Sequence, residues 1–212
     1  MIEANRIIAM RKEPLVEMPV LSDSNGRGEE DNWFNDRLFA TRTVLLNSQI
    51  DGEAVRRVAQ SMLILESADP EAPIDLVVSS YGGSDTAGFA LYDLIRFMKA
   101  PVRAIASGIV GGIAALVYVA AEKENRLALP NVRFLLHQPQ RGSFGATSDL
   151  EIAASELMKT QQQIISTLAE ATGQSAAQVH KDTHRKLWLD VQEAHEYGLV
   201  TRIVTRRAEL TS

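Results

Sequence analysis

From Ala104 to Ala121 the chain reads AIASGIVGGIAALVYVAA, without one charged side chain. A stretch this apolar has two homes, a bilayer or a protein core. A membrane span needs roughly 20 apolar residues in one helix. Here glycines at 108, 111 and 112 interrupt the run, and it opens with the strand-like PVRAIAS. The segment therefore reads as a buried strand that turns into a buried helix, so the fold must cover it on both sides.

The covering elements follow in alternation. TVLLN (43–47) reads as a strand, and Asp51 opens a helix whose apolar positions Val55, Val58, Met62 and Leu65 recur at helical spacing. Asp69-Pro70 ends it. IDLVVS (74–79) is a β-branched strand, followed by a helix over 84–98, strand VRAIA (102–106) and the apolar helix from about Gly112 to Glu122. Strand-like LALP leads to strand VRFLLH (132–137), a loop, and a long helix from Asp149 to about Thr172 that Gly173 stops. Helix SAAQVHKDTHR, strand-like KLWLD, a short helix ending at Gly198 and strand TRIVT close the chain. Strands alternating with helices predict an α/β domain with a mostly parallel sheet. Residues 1–36 are mixed, and SDSNGRGEEDN (22–32) reads as a loop. Trp33, Phe34, Leu38 and Phe39 read as a short helix or turn packed on the body.

Composition narrows the function classes. A net charge of −5 with no basic stripe argues against nucleic acid. The chain has no cysteine, which removes disulfides, thiolate zinc sites and a Cys nucleophile together, and is compatible with a reducing cytoplasm. The N-terminus lacks the pattern of a signal peptide. Neither a cofactor nor a metal is expected. His180 and His184 stand four apart in HKDTH, the spacing of a zinc pair, but no third ligand is evident.

Three segments could carry chemistry. The turn in VVSSYGGSDTAG (77–88) leaves backbone N–H groups open to an anion or a developing oxyanion, or is simply a turn only glycine can make. GIVGGIAAL (108–116) is the strand-to-helix elbow at which a serine hydrolase raises its nucleophile, with glycine where an oxygen is needed. His137, in FLLHQP, is a general base or a structural residue at a strand end.

LVVSSYGGSDTAGFALYDLIRF, GIVGGIAALVYVAA, RFLLHQPQRGSFGATSDLEIAASEL and HRKLWLDVQEAHEYGLV together resemble the ClpP family, the proteolytic subunits of the Clp protease. The resemblance runs from about Arg37 to Thr205. It implies a ClpP/crotonase-type fold of repeated β-β-α and βα units, with an N-terminal segment over 1–36 as an axial loop. The domain over 37–212 then includes a protruding handle helix in the region 138–172. It further implies a Ser-His-Asp triad, in which a carboxylate orients the base and the base activates the hydroxyl. Residue by residue, the serine falls on Gly112, the histidine on His137 and the aspartate on Lys186. The oxyanion donors fall on the N–H groups of Gly83 and Ile113.

With two triad members replaced, the expectation is a non-catalytic subunit, a pseudo serine peptidase and not an enzyme. A nonstandard nucleophile or a peptide-binding role without cleavage are the alternatives. Ser84, Ser107 and Ser143 are the hydroxyls nearest in sequence, and Lys186 could serve a Ser-Lys dyad. The resemblance implies heptameric rings, formed alone or with active ClpP-type subunits, and AAA+ unfoldases on the outer faces. Asp75 and Val77 fall where the family often has tyrosines and Phe97 matches a retained aromatic, so unfoldase docking loses anchors.

Overall fold

The β-branched runs become the centre of a seven-stranded sheet. The structure is a computed structural model that describes residues 37–211, save Arg141 and Ser143. Strands β1 (Thr43–Leu46), β2 (Ile74–Ser80), β3 (Val102–Gly111), β4 (Arg126–Ala128) and β7 (Arg202–Ile203) lie parallel in the order β1-β2-β3-β4-β7. β5 (Arg133–Leu136) pairs parallel with the far end of β3, and β6 (Leu187–Leu189) runs antiparallel to β5. The helices are α1 (Gly52–Ala68), α2 (Asp85–Phe97), α3 (Ile113–Val119), α4 (Thr147–Thr172), α5 (Ala176–His184) and α6 (Val191–Tyr197).

Local chemistry sets the boundaries. Asp51, Ser84 and Ser175 accept from backbone N–H groups in the first turns of α1, α2 and α5. Asp190 and Glu193 form a reciprocal capping box on α6. Gly173 and Gly198 end α4 and α6 in the left-handed conformation.

Alternation along the strands sends Leu76, Val78, Ala104 and Ala106 into the main core, beside Met62, Leu91, Leu116 and Leu168 of the helices. Val77, Ile105, Leu127 and Val204 face the other way and form a smaller cluster with Leu210. α3 is buried along its whole length, so the apolar run lies in the core, as its composition demanded. Among the described residues no helix is long and apolar enough to cross a membrane.

Arg126 is the buried charge that joins the layers. Its guanidinium donates to the carbonyls of Val119, Ala121 and Ala171, at 3.0, 2.9 and 2.6 Å, behind the C-terminal ends of α3 and α4. Those ends carry negative partial charge, which suits a cation. Tyr118 packs edge-on against Phe134 at 5.5 Å and donates to the Leu127 carbonyl, and burial pushes its hydroxyl pKa far up.

Four expectations need correction. β3 does not stop at Ala106 but runs to Gly111, because a bulge absorbs two extra residues: Val78 pairs Ala106, whereas Ser80 pairs Val110. Gly108 takes a φ of 62° in that bulge, which glycine accepts without strain. α3 ends at Val119, short of Glu122. On α4, Ile164, Ile165 and Leu168 are buried as expected, but Leu150 and Ile152 are 40% and 63% exposed, since that half of the helix projects beyond the core. A 3-10 turn, Arg207–Thr211, follows β7 where no element was expected. Of the early helix, the structure describes 37–40; Trp33, Phe34 and the 1–36 segment lie outside the described residues.

Candidate active site at the glycine elbow

β3 pairs with β4 through Ala104–Ala106, and beyond the bulge with β5 through Ile109–Gly111. This change of partner delivers the elbow to β5. Gly112 sits between strand and helix with φ 52° and ψ −126°, and its N–H donates to the Leu135 carbonyl at 2.9 Å. His137 follows β5 directly, so the same pairing brings its imidazole onto the elbow. A Cβ added at Gly112 would stand 2.9 Å from His137 Nε2, closer than such atoms ordinarily come.

The ring's orientation is set by backbone. His137 Nδ1 lies 2.9 Å from the carbonyl oxygen of Gln138. A carbonyl can only accept, so Nδ1 carries a proton, and in the neutral ring Nε2 keeps its lone pair on the side of the elbow. The Gln138 carbonyl thus holds the tautomer that a triad carboxylate would hold. Sequence reading missed this residue, because a backbone acceptor leaves no side-chain signal. Gln138 is itself held: its N–H donates to Thr183 O at 3.1 Å, and its side-chain oxygen accepts from Gln161 at 3.2 Å.

The second glycine turn closes the arrangement. Ile50 donates to Gly82 O at 2.9 Å and accepts from Ser84 N–H at 2.7 Å. The bridge therefore runs through the neighbours of Gly83 and leaves Gly83 N–H outside it. Ile113 is the first residue of α3, so its N–H has no intrahelical acceptor. The two turns touch backbone to backbone: a Cβ on Gly82 would lie 2.8 Å from Gly111 O and 3.2 Å from Ile113 N. A Cβ on Gly83 would fall 2.2 Å from the Ile50 carbonyl. Only glycine fits this turn, and through Gly82 it lies directly against Gly111 and Ile113 of the elbow. Ser80 supports the turn by accepting from Gly82 N–H at 3.1 Å.

Lys186 precedes β6, and the register Leu136 to Leu187 makes it the next position opposite His137. Its side chain is exposed. The candidate hydroxyls do not converge on His137 among the described residues. Ser84 caps α2, Ser107 lies half-buried in the β3 bulge, and Ser143 lies outside the described residues. Asp75 and Val77 sit two apart on β2. Asp75 is buried and paired with Arg103 at 2.6 Å, while Val77 borders the cluster of Ile105 and Leu127. Phe97 ends α2 with 85% exposure and is not part of that cluster. His180 and His184 stack at 6.4 Å, and no group of three His, Cys, Asp or Glu among the described residues could hold a metal.

The sequence matches the Clp protease family over residues 26–207. It is 42% identical to the ATP-dependent Clp protease proteolytic subunit 3 of Rhizobium etli, covering 82% of this chain and 89% of that one. It is 36% identical to the corresponding subunit 2 of Treponema denticola, over 89% and 94%. The solved structure of a point mutant of ClpP1 from Listeria monocytogenes superposes with a TM-score of 0.78 at 40% identity, covering 84% of this chain and 99% of the other. These names correct one expectation. The replaced triad positions suggested a chain that is not an enzyme, but relatives this close are named proteolytic subunits. Substitution at two positions says which groups are missing, not what the subunit class does. On fold, sequence and length together, the chain belongs to the Clp protease family.

Proposed function

We propose that this chain is a subunit of a ring-shaped Clp-type protease assembly that hydrolyses peptide bonds, and that its own cleft works through a nonstandard nucleophile. One observation carries the reading: Nε2 of a tautomer-fixed His137 lies against Gly112, and the glycine turn meets the same elbow through Gly82, with the N–H groups of Gly83 and Ile113 taken as the oxyanion donors. Residue 112 has no hydroxyl, so no acyl-enzyme forms there. His137 instead acts as base toward water, which attacks the peptide carbonyl while the two N–H groups receive the oxyanion. Without a covalent nucleophile, such sites keep only about 10³–10⁴ of acceleration over water, so turnover is slow. Lys186 takes no part in orienting the base.

The exposed half of α4, within the 138–172 handle region, serves subunit association. Rings are heptameric and admit triad-bearing subunits. The face carrying Asp75 and Val77, with Phe97 near its side of the ring, receives a partner such as an AAA+ unfoldase, without the tyrosine anchors the resemblance leads one to expect. A cytoplasmic setting agrees with the cysteine-free composition.

The test is a fluorogenic peptide assay on rings verified by mass, with a fluorophosphonate as probe for an activated serine. The expected result is slow turnover that His137→Ala removes, with no label on the native chain. Gly112→Ser with Lys186→Asp should gain label and rate together. Turnover indifferent to His137→Ala, or a labelled native chain, would overturn the water mechanism.

A further inference from the structure

Alternation divides the β5–β6 pair into two faces. Phe134, Leu136 and Leu189 turn into the main core, with Leu187 packed against it. Arg133, Leu135, Lys186 and Trp188 take the other face, where Leu135 stands directly opposite Trp188 and Lys186 holds the next position, opposite His137. Residues directly opposite in an antiparallel pair share a face, with Cβ atoms about 4.5–5.5 Å apart. The base therefore has a lysine for its cross-strand neighbour and a tryptophan one step further along the same face.

The charges on this strip are unbalanced. Lys186 is exposed, and neither it nor Arg133 forms an ion pair among the described residues, although the chain carries a net charge of −5. The acids nearest Lys186 in sequence are engaged elsewhere. Asp182 accepts from Gln178 Nε2 at 2.8 Å and from the Tyr197 hydroxyl at 3.0 Å, and Asp190 caps α6. Trp188 is 45% exposed, and the Arg133 guanidinium lies over its ring at 5.9 Å, which steadies the indole. We infer that Lys186 and Trp188 set which peptides this cleft takes: Lys186 binds a carboxylate side chain beside the scissile bond, while Trp188 stacks on an apolar side chain two residues away. The spacing fits, because side chains i and i+2 of a strand stand about 6.6 Å apart on one face, the period that an extended peptide also presents. The substrate class is an extended peptide with an acidic residue two positions from an apolar one. This inference rests on the reading that the His137 cleft takes peptides.

The chain has two tryptophans, so Trp33→Phe leaves Trp188 as the only indole. The full-length Trp33→Phe protein is titrated with acetylated, amidated Leu-Ala-Glu-Ala-Leu and Leu-Ala-Gln-Ala-Leu, and binding is followed by Trp188 emission. The glutamate peptide should bind about fivefold more tightly, the upper range for an exposed ion pair. Lys186→Gln should bring the two affinities together, and Lys186→Glu should invert their order. Arg185→Gln removes the same charge one residue away, and the extended backbone there (φ −128°, ψ 106°) turns its side chain to the other side of the strand, so the preference should persist. Equal affinities before any change at Lys186, a preference that survives Lys186→Gln, one that Arg185→Gln abolishes, or an emission indifferent to both peptides would each overturn the inference. Binding is read here without turnover, and hydrolysis of fluorogenic versions of the two peptides is measured in parallel. Absent turnover with the preference intact would overturn the water mechanism alone.

Discussion

At Gly112 the decisive quantity is a distance. Any side chain placed there meets His137 Nε2 at 2.9 Å and must also adopt φ 52° and ψ −126°. Holding a non-glycine residue in so sparsely populated a conformation costs about 1–3 kcal/mol. Gly112→Ser alone should therefore fold with a lowered melting temperature, displace the imidazole and label only weakly with a fluorophosphonate. Adding Lys186→Asp should raise the labelling, because a carboxylate opposite His137 would re-orient the ring. Equal labelling of the single and double variants would show that the Gln138 carbonyl suffices. Gly83 offers the opposite case. Its Cβ would strike the Ile50 carbonyl at 2.2 Å, and backbone does not move aside as a flexible side chain can. Thus the Gly pair was legible from sequence as a turn, and His137 as a strand-end residue. The tautomer lock, which belongs to a main-chain carbonyl, was not.

Among the elements, the ones found by periodicity are those whose limits are set by local turn and capping residues. α1, α2, β2 and α6 fall within about two residues of their sequence limits, as capping chemistry allows. The bulged β3 was misread because Gly108 looks like the end of a strand, when it is the residue that lets one strand serve two partners. The C-terminal 3-10 turn went unseen because RRAELTS has no repeat to read, and its apolar contact with the sheet is made by a single leucine. Arg126 shows how an element junction is held by polar contacts. Arg126→Ala strips donors from three carbonyls at the ends of α3 and α4, and a buried acceptor left without a donor costs about 1–3 kcal/mol. Water will reach some of them, so the expected loss is about 3 kcal/mol in denaturant unfolding. A loss under 1 kcal/mol would mean that the cation's own burial cost nearly cancels its hydrogen bonds.

For the molecule as a whole, the sequence pattern could not say which apolar positions await another chain. Leu150, Ile152 and Met158 are apolar positions of α4, yet they are 40%, 63% and 69% exposed in the single chain. Periodicity marks a face, and only the packed fold shows whether anything covers it. If α4 joins subunits, Ile152→Asp with Met158→Asp should reduce the mass of the assembly in solution while leaving the circular dichroism of the subunit unchanged. An assembly of unaltered mass would remove α4 from the association surface. The elbow has a consequence for the gene as well. Its shape depends on the strand pairing of β5 and on glycines that let two main chains touch, and no reactive side chain is among its supports. Two of the four glycine codons lie one base from a serine codon, so the nucleophile is a character that mutation can add to this scaffold or withdraw from it in one step. Selection can then act on the chemistry at this position without having to rebuild the fold that carries it.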